Sequence, residues 1–450
     1  MFKTSYRTLG DIFQTTLYIG TLFTFYLNRF DITKSRVIQL FFLSVIIQII
    51  SWYNLHRIDP SYVNELSLTW LGYLFIFFFI SYWLNGNERK INITMIAFAI
   101  GTVLTCLLHS KNIYSDYNSI ISGDRVDYSF MNANHSAALL AMSLIIVAYI
   151  SSITVINIKK SILLFLLSTI SIFLLMGTQS RSAYVALVIP LLILIIYSLK
   201  NSKLNFIFTL LILLSVGGSF IYSSLPRVNS EARTFQKTYE SSAKISNINK
   251  TATQNKTVTQ NKAELKLENK TLSPESHKIK STPTGNTYKE KTLRSRLTES
   301  LDNISNDIPY TSIGFRFHFW IDTLKQAMFT PLLGLGNNAN RYILEKSNHS
   351  DIYKKNNFQH LHSSYMELIA SYGLVGVSLL LYLYWYILNI TKKKAPHRMF
   401  IFCVSSYSFL AIINIFESYL FVKSGVLIHT LVLGALYSYN FKGDIENDAK

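Results

Sequence analysis

Apolar residues in this chain come in blocks of roughly 17 to 22 that carry almost no charge, about the length a helix needs to cross the hydrocarbon core of a bilayer. Hydropathy along the sequence places eleven such blocks, at 11–28, 36–53, 66–84, 91–109, 135–156, 161–177, 182–199, 204–222, 363–389, 399–416 and 422–440. Half of all residues are hydrophobic, only 15% are charged and the mean hydropathy is +0.26, so an ordinary soluble enzyme is excluded. The expected fold class is all-α, a polytopic integral membrane protein.

Lys and Arg outnumber Asp and Glu by 43 to 25, a balance of +18. In such a chain cationic loops face anionic headgroups and set topology, and no nucleic-acid motif stands against that reading. Membrane lipids are therefore expected partners and nucleic acid is not. Cys106 and Cys403 both lie in apolar runs, which leaves neither a disulfide framework nor a CxxC metal site. Lys3 and Arg7 ahead of an apolar run resemble a signal peptide, but Leu22 to Asn28 offers no small-residue cleavage site, so an uncleaved first span is expected.

Orientation follows from Lys and Arg in short loops. Arg89 and Lys90, Lys159 and Lys160, Lys200 and Lys203, and the run Lys392, Lys393, Lys394 and Arg398 fall on one side, read as cytoplasmic. The segment 110–134, the turn from Gly177 to Arg181 and one long loop then face outward. Three regions result: an N-terminal transmembrane bundle at 1–222, the external loop at 223–362, and C-terminal transmembrane helices with a cytoplasmic tail at 363–450. Within the loop, 241–287 has no aromatic residue and is rich in Asn, Lys, Thr and Ser; it cannot bury a core and is expected to be a dispensable disordered insert. About 314–329 the sequence places Phe319, Trp320, Leu324, Ala327 and Met328 at helical spacing before Pro331, Gly334 and Gly336. That reads as an amphipathic helix on or near the membrane surface.

The chemistry-bearing residues cluster at the outer face. In QHLHSSYMELIASYGLVGVSLL a polar stretch runs straight into a span, and Ser364 and Glu367 have capping-box spacing, so a helix is expected to start at Ser363 or Ser364. His362 then precedes a helix N-terminus, where anions such as phosphate are attracted and a neutral imidazole accepts a proton. His360 and His362 read first as solvated loop histidines and second as functional ones; a zinc site lacks an obvious third ligand. Glu367 reads first as a cap and second as an acid. Arg181 lies at or just inside the outer face, where it either snorkels to headgroups or grips phosphate oxygens bidentately, and Arg316 carries the same two readings. Asn132, Asn134 and His135 read as caps of the fifth span. Glu417 reads as a solvated boundary residue or as a partner for one of the arginines.

Together these features resemble a family. His362 and Ser363 followed by Gly373 and Gly376 meet the pattern His, then Asn/Ser/Gln, nine residues, then Gly-x-x-Gly. FRFHFWIDTLKQAMFTPLLGLG looks like Arg-x-x-x-Trp followed by Pro-x-x-Gly-x-Gly, and TQSRSAYVAL looks like a Ser-Arg turn. The combination is similar to the O-antigen ligases and related O-antigen polymerases of Gram-negative bacteria, over roughly residues 130–440. The ligases typically have twelve spans, so about 11–12 transmembrane helices and one long periplasmic loop are expected. The insert has no counterpart in the pattern. The resemblance implies a glycosyltransferase of the bacterial inner membrane, with its site facing the periplasm, that takes an undecaprenyl-diphosphate-linked glycan as donor. Ligases use the lipid A core oligosaccharide as acceptor, and polymerases a second lipid-linked repeat; one long loop in place of two favours the ligase. It further implies His362 as the essential histidine and Arg181 and Arg316 as diphosphate-binding arginines, with Ser363, Glu367, Gly373, Gly376 and Glu417 in supporting positions. No cofactor is expected, and no metal, because no Asp-x-Asp motif is present.

Overall fold

The computed structural model describes residues 7–27, 34–63, 65–68, 73–153, 158–223, 293–306 and 308–442, with a few isolated positions between 229 and 236. Regular structure there is helical throughout. In chain order the helices are α1 (Arg7–Leu27), α2 (Arg36–Ile58), α3 (Phe77–Leu84), α4 (Glu88–His109), α5 (Ile113–Ser122), α6 (Ala133–Ile153), α7 (Ile158–Thr178), α8 (Arg181–Asn201) and α9 (Lys203–Ser223). Then follow α10 (Leu293–Asn306), α11 (Ser312–Ala327), α12 (Ala339–Lys346), α13 (Ser350–Lys355), α14 (Ser364–Lys394), α15 (His397–Phe416) and α16 (Lys423–Tyr437). The chain divides into two compact units, one of residues 1–227 with 322–450 and one of residues 228–321.

Eight of the described helices are long and apolar enough to cross a membrane: α2, α4, α6, α7, α8, α9, α14 and α15. They coincide with eight of the eleven expected blocks. The other three fall on α1, on the eight-residue α3 and on the fifteen-residue α16. The expected insert at 241–287 lies outside the described residues. The stretch expected to form an amphipathic helix at about 314–329 is helical over Ser312–Ala327, as α11.

Helix α6 is the axis of the larger unit. Its apolar window is 94% buried, against 28–56% for the other seven, because it packs against α4, α7, α8, α9, α15 and α16. A helix that is apolar all round belongs in an interior, and Ala137, Ala138, Ala141, Ser143 and Ala148 let its neighbours approach closely. Outer helices show the complementary pattern: α8 exposes Val185, Val188, Ile189, Leu192 and Ile196, the apolar side chains that lipid contact requires. The basic loops meet at one end of this unit, where Arg398 pairs with Glu88, Lys394 Nζ donates to Asn440 Oδ1 at 3.0 Å and Asn201 Nδ2 donates to the Ser152 carbonyl at 3.2 Å.

The long α14 is broken at Gly373, whose φ of 59° and ψ of −160° are far from helical. The backbone groups released there do not go unpaired. Leu335 and Gly336 donate to the carbonyls of Ala370 and Ser371 at 2.8 and 2.7 Å, while Leu374 and Val375 donate to those of Pro331 and Leu332 at 2.9 and 3.1 Å. The Pro-x-x-Gly-x-Gly segment thus docks on the kink as one strand pairs with another, and buried Asn54 adds a hydrogen bond from α2 to the Gly334 carbonyl at 2.7 Å. Gly373 is required twice, by its positive φ and because a Cβ would lie 2.4 Å from the Leu332 carbonyl carbon and oxygen. Gly373→Ala should therefore cost at least the ~1–3 kcal/mol of a strained backbone position, lowering the thermal midpoint of the detergent-solubilised protein. Gly218→Ala, inside α9 and with a Cβ that meets nothing within 4 Å, should be as stable as wild type or up to about 1 kcal/mol more stable in the same measurement.

Candidate functional site

At the other end of the larger unit, α14 begins at Ser364 with Ser363 as its N-cap residue, as the spacing predicts. The reciprocal capping box does not form: no side chain caps this terminus, and Ser364 and Glu367 are engaged elsewhere. Glu367 Oε1 accepts from the Ser418 hydroxyl at 2.6 Å and from the Leu361 backbone N–H at 2.9 Å, and lies 3.2 Å from His360 Nδ1. The expectation of a simple cap fails because partners from the turn after α15 and from the loop before α14 reach this carboxylate in the folded chain.

His362 sits in the left-handed region, with φ of 50°. A non-glycine residue is held there only when its surroundings over-determine it, which is typical of functional positions. Its Nδ1 lies 2.9 Å from Glu417 Oε1. Glu417 ends α15 and is 3% exposed, so the reading of a solvated boundary residue is overturned. Its other oxygen accepts from Asn134 Nδ2 at 3.3 Å. Asn134 Oδ1 in turn accepts from Arg125 Nη2 at 2.9 Å, and Arg125 Nε donates to the Thr178 carbonyl at 3.2 Å. An unbroken file of hydrogen bonds therefore joins His362 to the turn that carries Arg181.

Four sequence-remote elements hold this file in place. Asn132 opens α6, its Oδ1 accepting from the Asn134 backbone N–H at 3.0 Å; it acts as the expected cap, and this leaves the Asn134 side chain to bridge Arg125 and Glu417. Tyr419 fastens the same helix end, donating from its hydroxyl to the Asn134 carbonyl at 2.7 Å. Ser364 Oγ donates to Asn414 Oδ1 at 2.5 Å and accepts from the Leu420 N–H at 3.0 Å. The Ser364 N–H donates to the Glu417 carbonyl at 3.2 Å. Arg181 is the first residue of α8, after Gln179 with φ of 51°, and the Gln179 side chain donates to the Gly123 carbonyl at 2.5 Å. Arg316 belongs to the smaller unit, on α11, where its Nη1 donates to the Ser312 carbonyl at 3.3 Å.

An ionised carboxylate accepts only, so in the His362–Glu417 hydrogen bond the proton sits on Nδ1, and in the neutral ring the basic nitrogen is Nε2. A base whose second nitrogen is fixed by a buried carboxylate is the arrangement used to accept a proton from a hydroxyl and to stabilise the imidazolium formed. His360 differs. Its hydrogen bond to Glu367 raises its pKa above the ordinary histidine value, against burial, which lowers it. Sequence reading missed Arg125 and gave Asn134 only a capping role. Neither carries a local signal, because their partners lie nine to 283 positions away in the chain. Among the described residues no three of His, Cys, Asp and Glu converge in a way that would hold a metal ion.

The family model Wzy_C, described as O-antigen ligase, matches residues 162–381. The matched span includes Arg181, Arg316, His362, Glu367, Gly373 and Gly376; Arg125, Asn134 and Glu417 lie outside it. No curated protein matches the chain.

The His360–Glu367 pair makes stability depend on pH with a definite sign. A histidine whose folded-state pKa is raised stabilises the fold fully below its unfolded value, near 6.5, and loses that contribution as pH rises through the raised value. Thermal melts of the purified protein should therefore lose a component of stability on the alkaline side of pH 6.5, and His360→Gln should remove that component without adding a new one. A melting profile as steep in His360→Gln as in wild type would show that other groups are responsible.

Proposed function

We propose that this chain, which a family model described as O-antigen ligase matches over residues 162–381, is a ligase of the bacterial inner membrane, moving a glycan from undecaprenyl diphosphate to the lipid A core oligosaccharide on the periplasmic side. Enzymes of the family transfer polyprenyl-linked glycans, so the chemistry is displacement at an anomeric carbon by an acceptor hydroxyl. The observation that carries the reading is the buried Glu417 carboxylate 2.9 Å from His362 Nδ1, in a multi-span chain, at the end away from the basic loops. His362 Nε2 takes the acceptor's proton as the new glycosidic bond forms, and Glu417 holds the ring and balances its charge.

The leaving group is a lipid diphosphate, whose charge grows as the glycosidic oxygen departs. Arg181 and Arg316 are proposed to compensate it, since a guanidinium engages two phosphate oxygens at once and needs no proton exchange. The donor already carries its activating diphosphate, so no nucleotide is required. A polymerase reading shares the donor, the histidine and the arginines and differs only in the acceptor. One long external loop in place of two favours the ligase.

Lipopolysaccharide gels of a deletion strain separate the two activities. Bare core with long glycan accumulating on the carrier is expected; core bearing a single repeat would make the protein a polymerase. In complementation of that strain His362→Ala should abolish transfer, a loss of at least about 10²-fold, while binding of an undecaprenyl diphosphate analogue stays nearly intact. Arg181→Lys and Arg316→Lys should weaken both binding and transfer, because Lys keeps the charge and loses the planar fork. Wild-type behaviour of Arg181→Lys in both assays would reduce that residue to an anchor at the interface.

A further inference from the structure

One buried titratable side chain in the larger unit has no part in the chemistry above. His429 lies in the middle of α16 and is 1% exposed. A histidine within a bundle of apolar spans is costly to keep and needs a reason in its contacts. Those contacts lead to the site. His429 Nε2 is 3.3 Å from Asn414 Nδ2, and its Nδ1 is hydrogen-bonded to the Tyr384 hydroxyl on α14. Asn414, 3% exposed, lies in the last turn of α15.

Asn414 uses its whole amide. Oδ1 accepts from the Ser364 hydroxyl at 2.5 Å, while Nδ2 donates to the Leu410 carbonyl at 2.7 Å and faces His429. Its backbone carbonyl also accepts from Ser363 Oγ at 3.5 Å. Ser363 and Ser364 are the two residues immediately after His362, and Ser364 is tied to the Glu417 backbone as well. The orientation of the Asn414 amide therefore bears on both partners of the His362–Glu417 pair.

An asparagine amide is nearly symmetric in shape, and only its hydrogen-bond partners decide which way it points. Of the neighbours of Asn414 Nδ2, the Leu410 carbonyl is contributed by its own helix one turn back, whereas the His429 ring arrives from another helix and holds the amide from across the bundle. We infer that His429 is a positioning residue for the transfer reaction, acting through Asn414 and Ser364 to hold His362 in register with Glu417. Neither His429 nor Asn414 touches substrate in this account, and no proton passes along the file. Its effect is on the placement of the base, where a displacement of about 1 Å lowers turnover by up to about 10²-fold.

The inference rests on the transfer reading of the site, so the test is run on the purified full chain with lipid-linked glycan and acceptor, beside wild type and His362→Ala. His429→Leu should lower kcat by about ten- to a hundredfold with KM for the lipid-linked donor unchanged. His429→Gln, whose Oε1 reaches the position of Nε2, should recover most of that loss; His429→Asn, which reaches only the position of Nδ1, should not. Should His429→Leu fail to accumulate in the membrane, the Gln and Asn variants decide by themselves. Because one linkage is shared, Ser364→Ala combined with His429→Leu should be no slower than the slower of the two single variants. Unchanged kcat in His429→Leu, equal behaviour of Gln and Asn, or losses that multiply in the double variant would each overturn the positioning role while leaving the transfer reading standing. A wild-type protein silent in the assay, with His362→Ala no different from it, would overturn the transfer reading and this role with it.

Discussion

A carboxylate buried at the mouth of a helical bundle has to be compensated by groups the fold brings to it, and Glu417 sets that requirement for the outer end of this protein. Its two oxygens draw in the His362 ring and the Asn134 amide, and its backbone carbonyl receives the first N–H of α14. Three helix ends, those of α6, α14 and α15, therefore converge on one residue. Arg125 answers the carboxylate at one remove through Asn134 and fastens the α7–α8 turn to the same point. The left-handed backbone at His362 is held by this convergence: a loop residue with φ of 50° persists because its ring and the two serines after it are all engaged.

A second constraint operates within a membrane-spanning helix, where hydrocarbon offers no hydrogen-bond partner and broken helical hydrogen bonds have to be replaced. The kink at Gly373 meets it with the Pro331–Gly336 segment, which returns hydrogen bonds to both sides of the break. Rigidity at the kink matters to the site because the N-terminal turns of α14, between Ser364 and Gly373, carry Ser364 and Glu367 and follow directly on His362. The two glycine motifs thus work as one joint. Each is meaningful only against the other: a Cβ at Gly334 would lie 2.5 Å from the Ser371 carbonyl carbon, and one at Gly373 would strike Leu332.

Much of this was legible in the sequence. Apolar blocks of membrane-crossing length locate the helices, and Ser363 or Ser364 marks the start of α14. The distribution of Lys and Arg groups the loops that meet through Arg398 and Glu88. His362 stands out because it precedes a helix start and fits a motif. What periodicity does not carry is pairing across the chain. Glu417 and His362 are 55 positions apart, Asn134 and Glu417 are 283, and nothing in NIFESYLF or MNANHSAALL announces either contact. Glu367 misleads for the same reason: its spacing from Ser364 suits a local cap, and a hydroxyl 51 positions away takes its place. Gly373 reads as part of a motif, but that it breaks the helix becomes apparent only when Pro331 and Leu332 are seen beside it.

In the proposed reaction Glu417 orients His362 to take a proton from the acceptor hydroxyl. Glu417→Gln tests it most directly, because the amide keeps the size and loses the charge that fixes the imidazole tautomer and balances the imidazolium. In purified protein supplied with undecaprenyl-diphosphate-linked glycan and lipid A core, turnover of this variant should fall by about 10²-fold or more, with binding of the lipid diphosphate unchanged. Turnover close to wild type, with the variant folded and donor bound, would contradict the account and separate the buried carboxylate from the chemistry.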